Sequence, residues 1–273
     1  MILVGAVGCT IVPDAPIALR FVADPGIAGE AYQCFGFDAA LLGGADLGGI
    51  DLDAPAGPIA LHHVALYASP GEFPDGPVAC EAMPADALSL DVWAIGGGPL
   101  EIPDDIQLAI PEGTRRLIVQ AHTLRVGDGE AASRQLVLTA RRGALHRAGW
   151  LPLRAPTPAL RPHQVEQSTA TCIVGDELHI ISTWPHMHEA GRAFRGAVIR
   201  DGVAEPYVSV DPWSYDTQHA VPIALAVAGG QALETHCVWL NETAQTILPG
   251  PSIHDEMCAQ SLIAWPVEAA HCE

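Results

Sequence analysis

The chain has 273 residues, 49% of them apolar, enough for one large domain or two of ordinary size. Its net charge of −19 argues against a nucleic-acid partner, because phosphate binding requires the opposite sign, and no apolar run reaches the ~18 residues of a membrane-spanning helix. Every basic residue of the Lys/Arg class is arginine, which excludes Schiff-base and lysine-dependent phosphate chemistry.

In chain order, the opening "MILVGAVGCT" is a short apolar stretch that ends in small residues before Cys9. It fits the tail of a bacterial lipoprotein signal, with Cys9 as a lipid anchor, and equally an apolar N-terminal strand. Strand-like segments follow: "IALHHVALYA", "RRLIVQAHTLRV", "RQLVLTARR", "DELHIISTW", "RGAVIRDG", "ALETHCVWLN" and "AQSLIAWPV". Turn clusters such as "SPGEFPDGP" and "IGGGPLEIPDD" separate them. Only "MPADALSLDVWAIG" is predicted as a short helix. The pattern predicts an all-β protein built from antiparallel β-sandwich or jelly-roll-like domains. The polar stretch "VGDGEAAS", residues 126–133, is the predicted boundary. It divides the chain into 10–128 and 129–273, with one histidine group in each.

Adjacent His62 and His63 lie on one predicted strand and His122 on another. Neighbouring strand residues point to opposite faces, so His62 and His63 can share a metal only at a bulge, at an edge or through different ring nitrogens. Three neutral imidazoles suit copper or zinc. In "STWPHMHEAGR", His186 and His188 fall on one face and Met187 turns away. Met257, in "HDEMCAQSLIAW", is the candidate third ligand, and a thioether beside two imidazoles favours Cu(I). The acid pairs Asp104–Asp105 and Asp255–Glu256 fall in turns and have no partner that would make a hydrolase site. Seven cysteines without a C-x-x-C pair suggest long-range disulfides and an oxidising compartment.

"AYQCFGF", "LHHVALYA", "QAHTL", "PHMHEAGR" and "CVWLNETAQT…HDEMC" occur in this order, and the set resembles the copper type II, ascorbate-dependent monooxygenases. The resemblance implies two similar β-sandwich domains that face each other across a cleft, each with one copper. His62, His63 and His122 would hold an electron-storing copper. His186, His188 and Met257 would hold the copper that takes O2 and attacks a substrate C–H bond. Gln120 matches a glutamine that the family keeps beside its third histidine, and here it would position that ligand. The resemblance also implies the disulfides Cys34–Cys80, Cys172–Cys272 and Cys237–Cys258. Cys9 is then left over, which favours the lipid anchor. "DPWSYDTQH" resembles a family segment near the C-terminal site, without a chemical role of its own.

Three positions depart from the peptide-amidating members. Trp184 stands where those have a carboxylate-gripping arginine, and Ala259 and Ser261 stand where those have peptide-holding asparagine and tyrosine. A glycine-extended peptide is therefore not the expected substrate, and Trp184 suggests an apolar or aromatic one. The expectation is an exported protein (periplasmic, outer-membrane-anchored or extracellular) that uses two coppers, O2, a small-molecule substrate, and ascorbate or another one-electron reductant. The rival readings are a non-enzymatic copper-binding protein on the same fold and a zinc-site sandwich hydrolase.

Overall fold

A computed structural model describes residues 16–80, 83–250 and 254–271, so Cys9 and Cys272 lie outside the described residues. Its first half forms strands β1 (Ile17–Phe21), β2 (Glu30–Asp38), β3 (Asp46–Asp53), β4 (Ile59–Ser69), β5 (Val78–Ala79), β6 (Leu88–Ala94), β7 (Leu100–Glu101), β8 (Ile106–Leu108), β9 (Arg116–Arg125) and β10 (Arg134–Arg141). The second half forms β11 (His146–Ala155), β12 (Val165–Val174), β13 (Leu178–His186), β14 (Gly191–Arg200), β15 (Val203–Val210), β16 (Val221–Val227), β17 (Ala232–Leu240), β18 (Cys258–Trp265) and β19 (Ala270–His271). The protein is all-β, as expected. Short 3-10 turns are the only helical elements among the described residues.

One five-stranded sheet runs β5-β2-β9-β4-β6 and another runs β15-β14-β17-β12-β19. A nine-stranded sheet backs both, in the order β1-β10-β3-β8-β11-β18-β13-β16, with β7 added on β3. Leu19, Leu66, Leu117 and Leu138 fill the space between the first small sheet and the β1-to-β8 end of the large one. Leu153, Val174, Ile180 and Leu233 do the same for the second half. Parallel pairing of β8 with β11, from His146↔Ile106 to Ala148↔Leu108, makes the large sheet continuous across the two halves.

One sequence expectation is corrected. "MPADALSLDVWAIG" is not helical: Leu88–Ala94 is strand β6, paired with β4. Its apolar residues Leu88, Leu90, Val92 and Ala94 recur every second position, which is the strand period. The stretch 126–133 lies between β9 and β10. It carries the chain from β9 in one sheet to β10 in the other, and β10 pairs with β1 and β3 of the first half. The chain crosses to the second half at 142–145, after β10. A polar glycine-bearing loop marks a change of sheet as readily as a change of domain.

The disulfides Cys34–Cys80 and Cys237–Cys258 are formed, with Cα–Cα distances of 5.8 and 6.0 Å. Cys172 is also disulfide-bonded. The expected partner Cys272 falls outside the described residues.

Candidate metal centres

On β9, Leu117, Val119 and Ala121 enter the core. Alternation therefore places Gln120 and His122 on the opposite face, where Gln120 lines a cavity. On β4 the register slips: Leu61 pairs with Thr123, but His63 pairs with His122. The slip is a β-bulge, and His62 is the extra residue. It lets two consecutive side chains, His62 and His63, line the cavity while Leu61 and Val64 both stay in the core. The bulge is one of the three arrangements under which the adjacent pair can share a metal. One ligand nitrogen each from His62, His63 and His122 lie within 4.8 Å of one another.

Carboxylates fix the tautomers. Nε2 of His62 is 2.8 Å from Oδ1 of Asp216, and Nε2 of His122 is 2.7 Å from Oε1 of Glu30. A carboxylate only accepts, so each Nε2 carries the proton and each Nδ1 presents a lone pair. Nδ1 of His122 is buried without a hydrogen-bond partner, and Nδ1 of His62 is 3.4 Å from Nδ1 of His63. Tyr32, directly across from His122 in the β2–β9 register, stacks on its ring at 4.1 Å. Burial lowers the pKa of His63 to about 3, helped by the neighbouring charges of His122, His62 and His186. Burial also lowers that of His122, against the opposing pull of Glu30. Imidazole nitrogens that converge, one of them an orphaned buried atom, fit a copper-type ion.

The second group stands at the end of β13. His186 and His188 line the same cavity, with ring centroids 5.1 Å apart, while Met187 is fully buried in the core behind them. Nδ1 of His188 is 2.9 Å from the carbonyl of Asp255, and Nδ1 of His186 is 2.6 Å from Oε1 of Gln218. Both contacts are to acceptors, so both histidines offer Nε2 to a metal. Burial, then the charge of His188, brings the His186 pKa to about 3. Trp184 stacks against His186 at 5.0 Å.

Met257 is half-buried and immediately precedes β18. Because His186 pairs with Ala259, the backbone of Met257 stands two residues beyond that pair. Its amide donates to Glu256 at 3.1 Å. The same buried carboxylate accepts from the amides of His188 and Ala190 and from Nε1 of Trp239. Burial raises the Glu256 pKa, and the amides of His188, Ala190 and Met257 oppose it. Glu256 thus clamps the backbones of His188 and Met257 to each other, a role that the turn reading of Asp255–Glu256 missed.

Both groups open onto one cavity of about 490 Å³, lined from the first half by His62, His63 and Gln120 and from the second by Trp184, His186 and His188. Tyr215 lies between them, 5.5 Å from the His62 ring and 6.2 Å from the His188 ring. Gln120 donates from Nε2 to the Cys80 carbonyl at 2.9 Å. Sequence pattern assigned no chemical role to "DPWSYDTQH", yet Tyr215 and Gln218 from it line the cavity and Asp216 meets His62. Glu30 carries no sequence signal beyond standing two residues before Tyr32 in the Tyr-x-Cys segment.

The molecule is thus an all-β protein of two sandwiches with a histidine group on each side of a shared cavity. Residues 147–273, just under half of the chain, match the family model described as "Copper type II ascorbate-dependent monooxygenase, C-terminal domain", which supports that family for this part of the chain. The comparison with curated proteins finds no match. Among solved structures, the infectious bursal disease virus VP2 subviral particle is 9% identical, covering 95% of this chain and 75% of that one, with a TM-score of 0.23. The STIV MCP is also 9% identical, over 96% and 93%, with a TM-score of 0.25. Likenesses this low carry no functional argument.

Proposed function

We propose that the protein is an exported dicopper monooxygenase that hydroxylates a C–H bond of a small substrate. The observation that carries this reading is the set of tautomers. Glu30, Asp216, Gln218 and the Asp255 carbonyl each hold one nitrogen of a histidine, and the opposite nitrogens remain for metal on the two sides of one cavity. His62, His63 and His122 would hold one copper, and His186, His188 and Met257 the other. Copper, when bound, would supply electron storage on the first side and oxygen activation on the second. One oxygen atom would enter the C–H bond and the other would leave as water, with two electrons and two protons drawn from ascorbate or another reductant.

The chain's own contribution is to keep the imidazoles neutral, to fix their orientation and to wall the cavity. Gln120 is a positioning residue, tied to the Cys34–Cys80 bridge through the Cys80 carbonyl. The disulfides support an exported protein, and acylation of Cys9 is part of the proposal. The division of the chain into two copper-holding units also belongs to it, with the crossing at 142–145.

Elemental analysis after copper loading and dialysis tests the reading. Two coppers per chain are expected, falling to one in Met257→Ile, with reductant-dependent O2 uptake lost. Zinc in place of copper, or full copper and full turnover in Met257→Ile, would overturn it.

A further inference from the structure

We propose that Arg154 and the indole N–H of Trp184 form an anion-binding subsite beside His186, which selects a substrate bearing a carboxylate. The proposal deepens the oxygenase reading and rests on it for the identity of the ligand as substrate.

Register carries the argument. Ala259 on β18 pairs with His186 on one side and with Arg154 of β11 on the other. Residues directly opposite in antiparallel strands share a face, so His186, Ala259 and Arg154 form one row. The next row is Trp184, Ser261 and Pro152. At about 4.8 Å between strands, the Cα atoms of His186 and Arg154 are about 10 Å apart. Between them lie the short side chains of Ala259 and Ser261, which leave a shallow floor. Leu151, Leu153 and Leu262 point the other way, into the core.

Arg154 is also chemically idle. Acidic residues outnumber arginines by more than two to one in this chain. Arg147, Arg161, Arg192, Arg195 and Arg200 all hold carboxylates. Arg154 is exposed and, among the described residues, makes no hydrogen bond or ion pair; only Arg20 shares that state. One row away, Nε1 of Trp184 is buried without a hydrogen-bond partner, a cost that a bound acceptor would remove. The carboxylates of Glu30 and Asp216 are held by histidines of the other group. Two unpartnered donors, one of them a guanidinium, flank a floor of small side chains and an indole. This combination recognises a carboxylate on an aromatic or aliphatic body.

Calorimetric titration of the copper-loaded chain with hydrocinnamate and with its neutral amide tests the proposal, with copper content measured on the same samples. Wild type is expected to bind the acid at least about ten-fold more tightly than the amide, a modest return for charge-assisted hydrogen bonds. Arg154→Gln should erase the preference, Arg154→Lys should restore part of it, and Arg20→Gln should leave it intact. Equal affinities in wild type, or an unchanged preference in Arg154→Gln, would overturn the subsite. A wild-type chain that prefers the acid but holds no copper would support the subsite and overturn the oxygenase reading instead.

Discussion

Oδ1 of Asp216 lies 2.8 Å from Nε2 of His62, although 154 positions separate them in the chain. The second sandwich thereby orients a candidate metal ligand of the first. A carboxylate that takes the far N–H of a ligating histidine fixes its ring and raises its basicity. Asp216→Asn should therefore weaken copper binding at the His62/His63/His122 group by about 10- to 100-fold and spare the other group. Competition against a Cu(I) chelator measures both affinities, and an unchanged first-site affinity would remove Asp216 from the ligand framework.

Glu256→Gln should act on stability and on the second group together. The replacement puts an amide NH2 where backbone N–H groups now donate, which leaves buried donors unmet at about 1–3 kcal/mol each. A loss of about 2–4 kcal/mol in urea unfolding of the metal-free chain is expected. Copper affinity at His186 and His188 should fall with it, because His188 and Met257 lose their common anchor. A variant as stable as wild type would show that the clamp contributes nothing.

Asp91 gives a pH dependence of unusual sign. Burial raises its pKa from 3.8 to about 7, against the lowering effect of the Val92 amide. Between these values the folded state binds the proton more strongly than the unfolded state, so this group's contribution falls as pH rises through the window. Above pH 7 a buried charge remains. Asp91→Asn should stabilise the protein by about 1–4 kcal/mol at pH 8 and change little at pH 4. Urea midpoints at the two pH values test this, and an equal shift at both would contradict the burial argument.

Removing the Cys34–Cys80 bridge by the double serine variant should cost about 2–4 kcal/mol. It should also loosen the Cys80 carbonyl, and with it Gln120. Denaturation reads the first effect. The copper affinity of the three-histidine group, on the same β9 strand as Gln120, reads the second.

Local pattern made much of this legible. Alternation marked β4, β9, β13 and β18, and the adjacency of His62 and His63 already required a bulge, an edge or a choice of nitrogens. The partners that fix the tautomers were not legible. Glu30 and Asp216 meet their histidines across 92 and 154 positions, and no periodicity encodes such distances. Glu256 was passed over because an acid pair in a turn usually faces water, whereas four N–H groups take this one inside. The strand β6 was misread because Pro84, Ala85 and Ala87 just before it masked a period of two. The stretch 126–133 joins β9 to β10, and such a crossover between sheets has the same polar composition as a linker.

The shared nine-stranded sheet has a thermodynamic consequence. Ile263 of β18 is buried in the core of the first half, and Trp150 and Trp265 pack against that core. With β8 and β11 paired, neither sandwich can melt without exposing apolar surface of the other. The metal-free chain should therefore show a single heat-absorption peak in calorimetry, with van't Hoff and calorimetric enthalpies that agree.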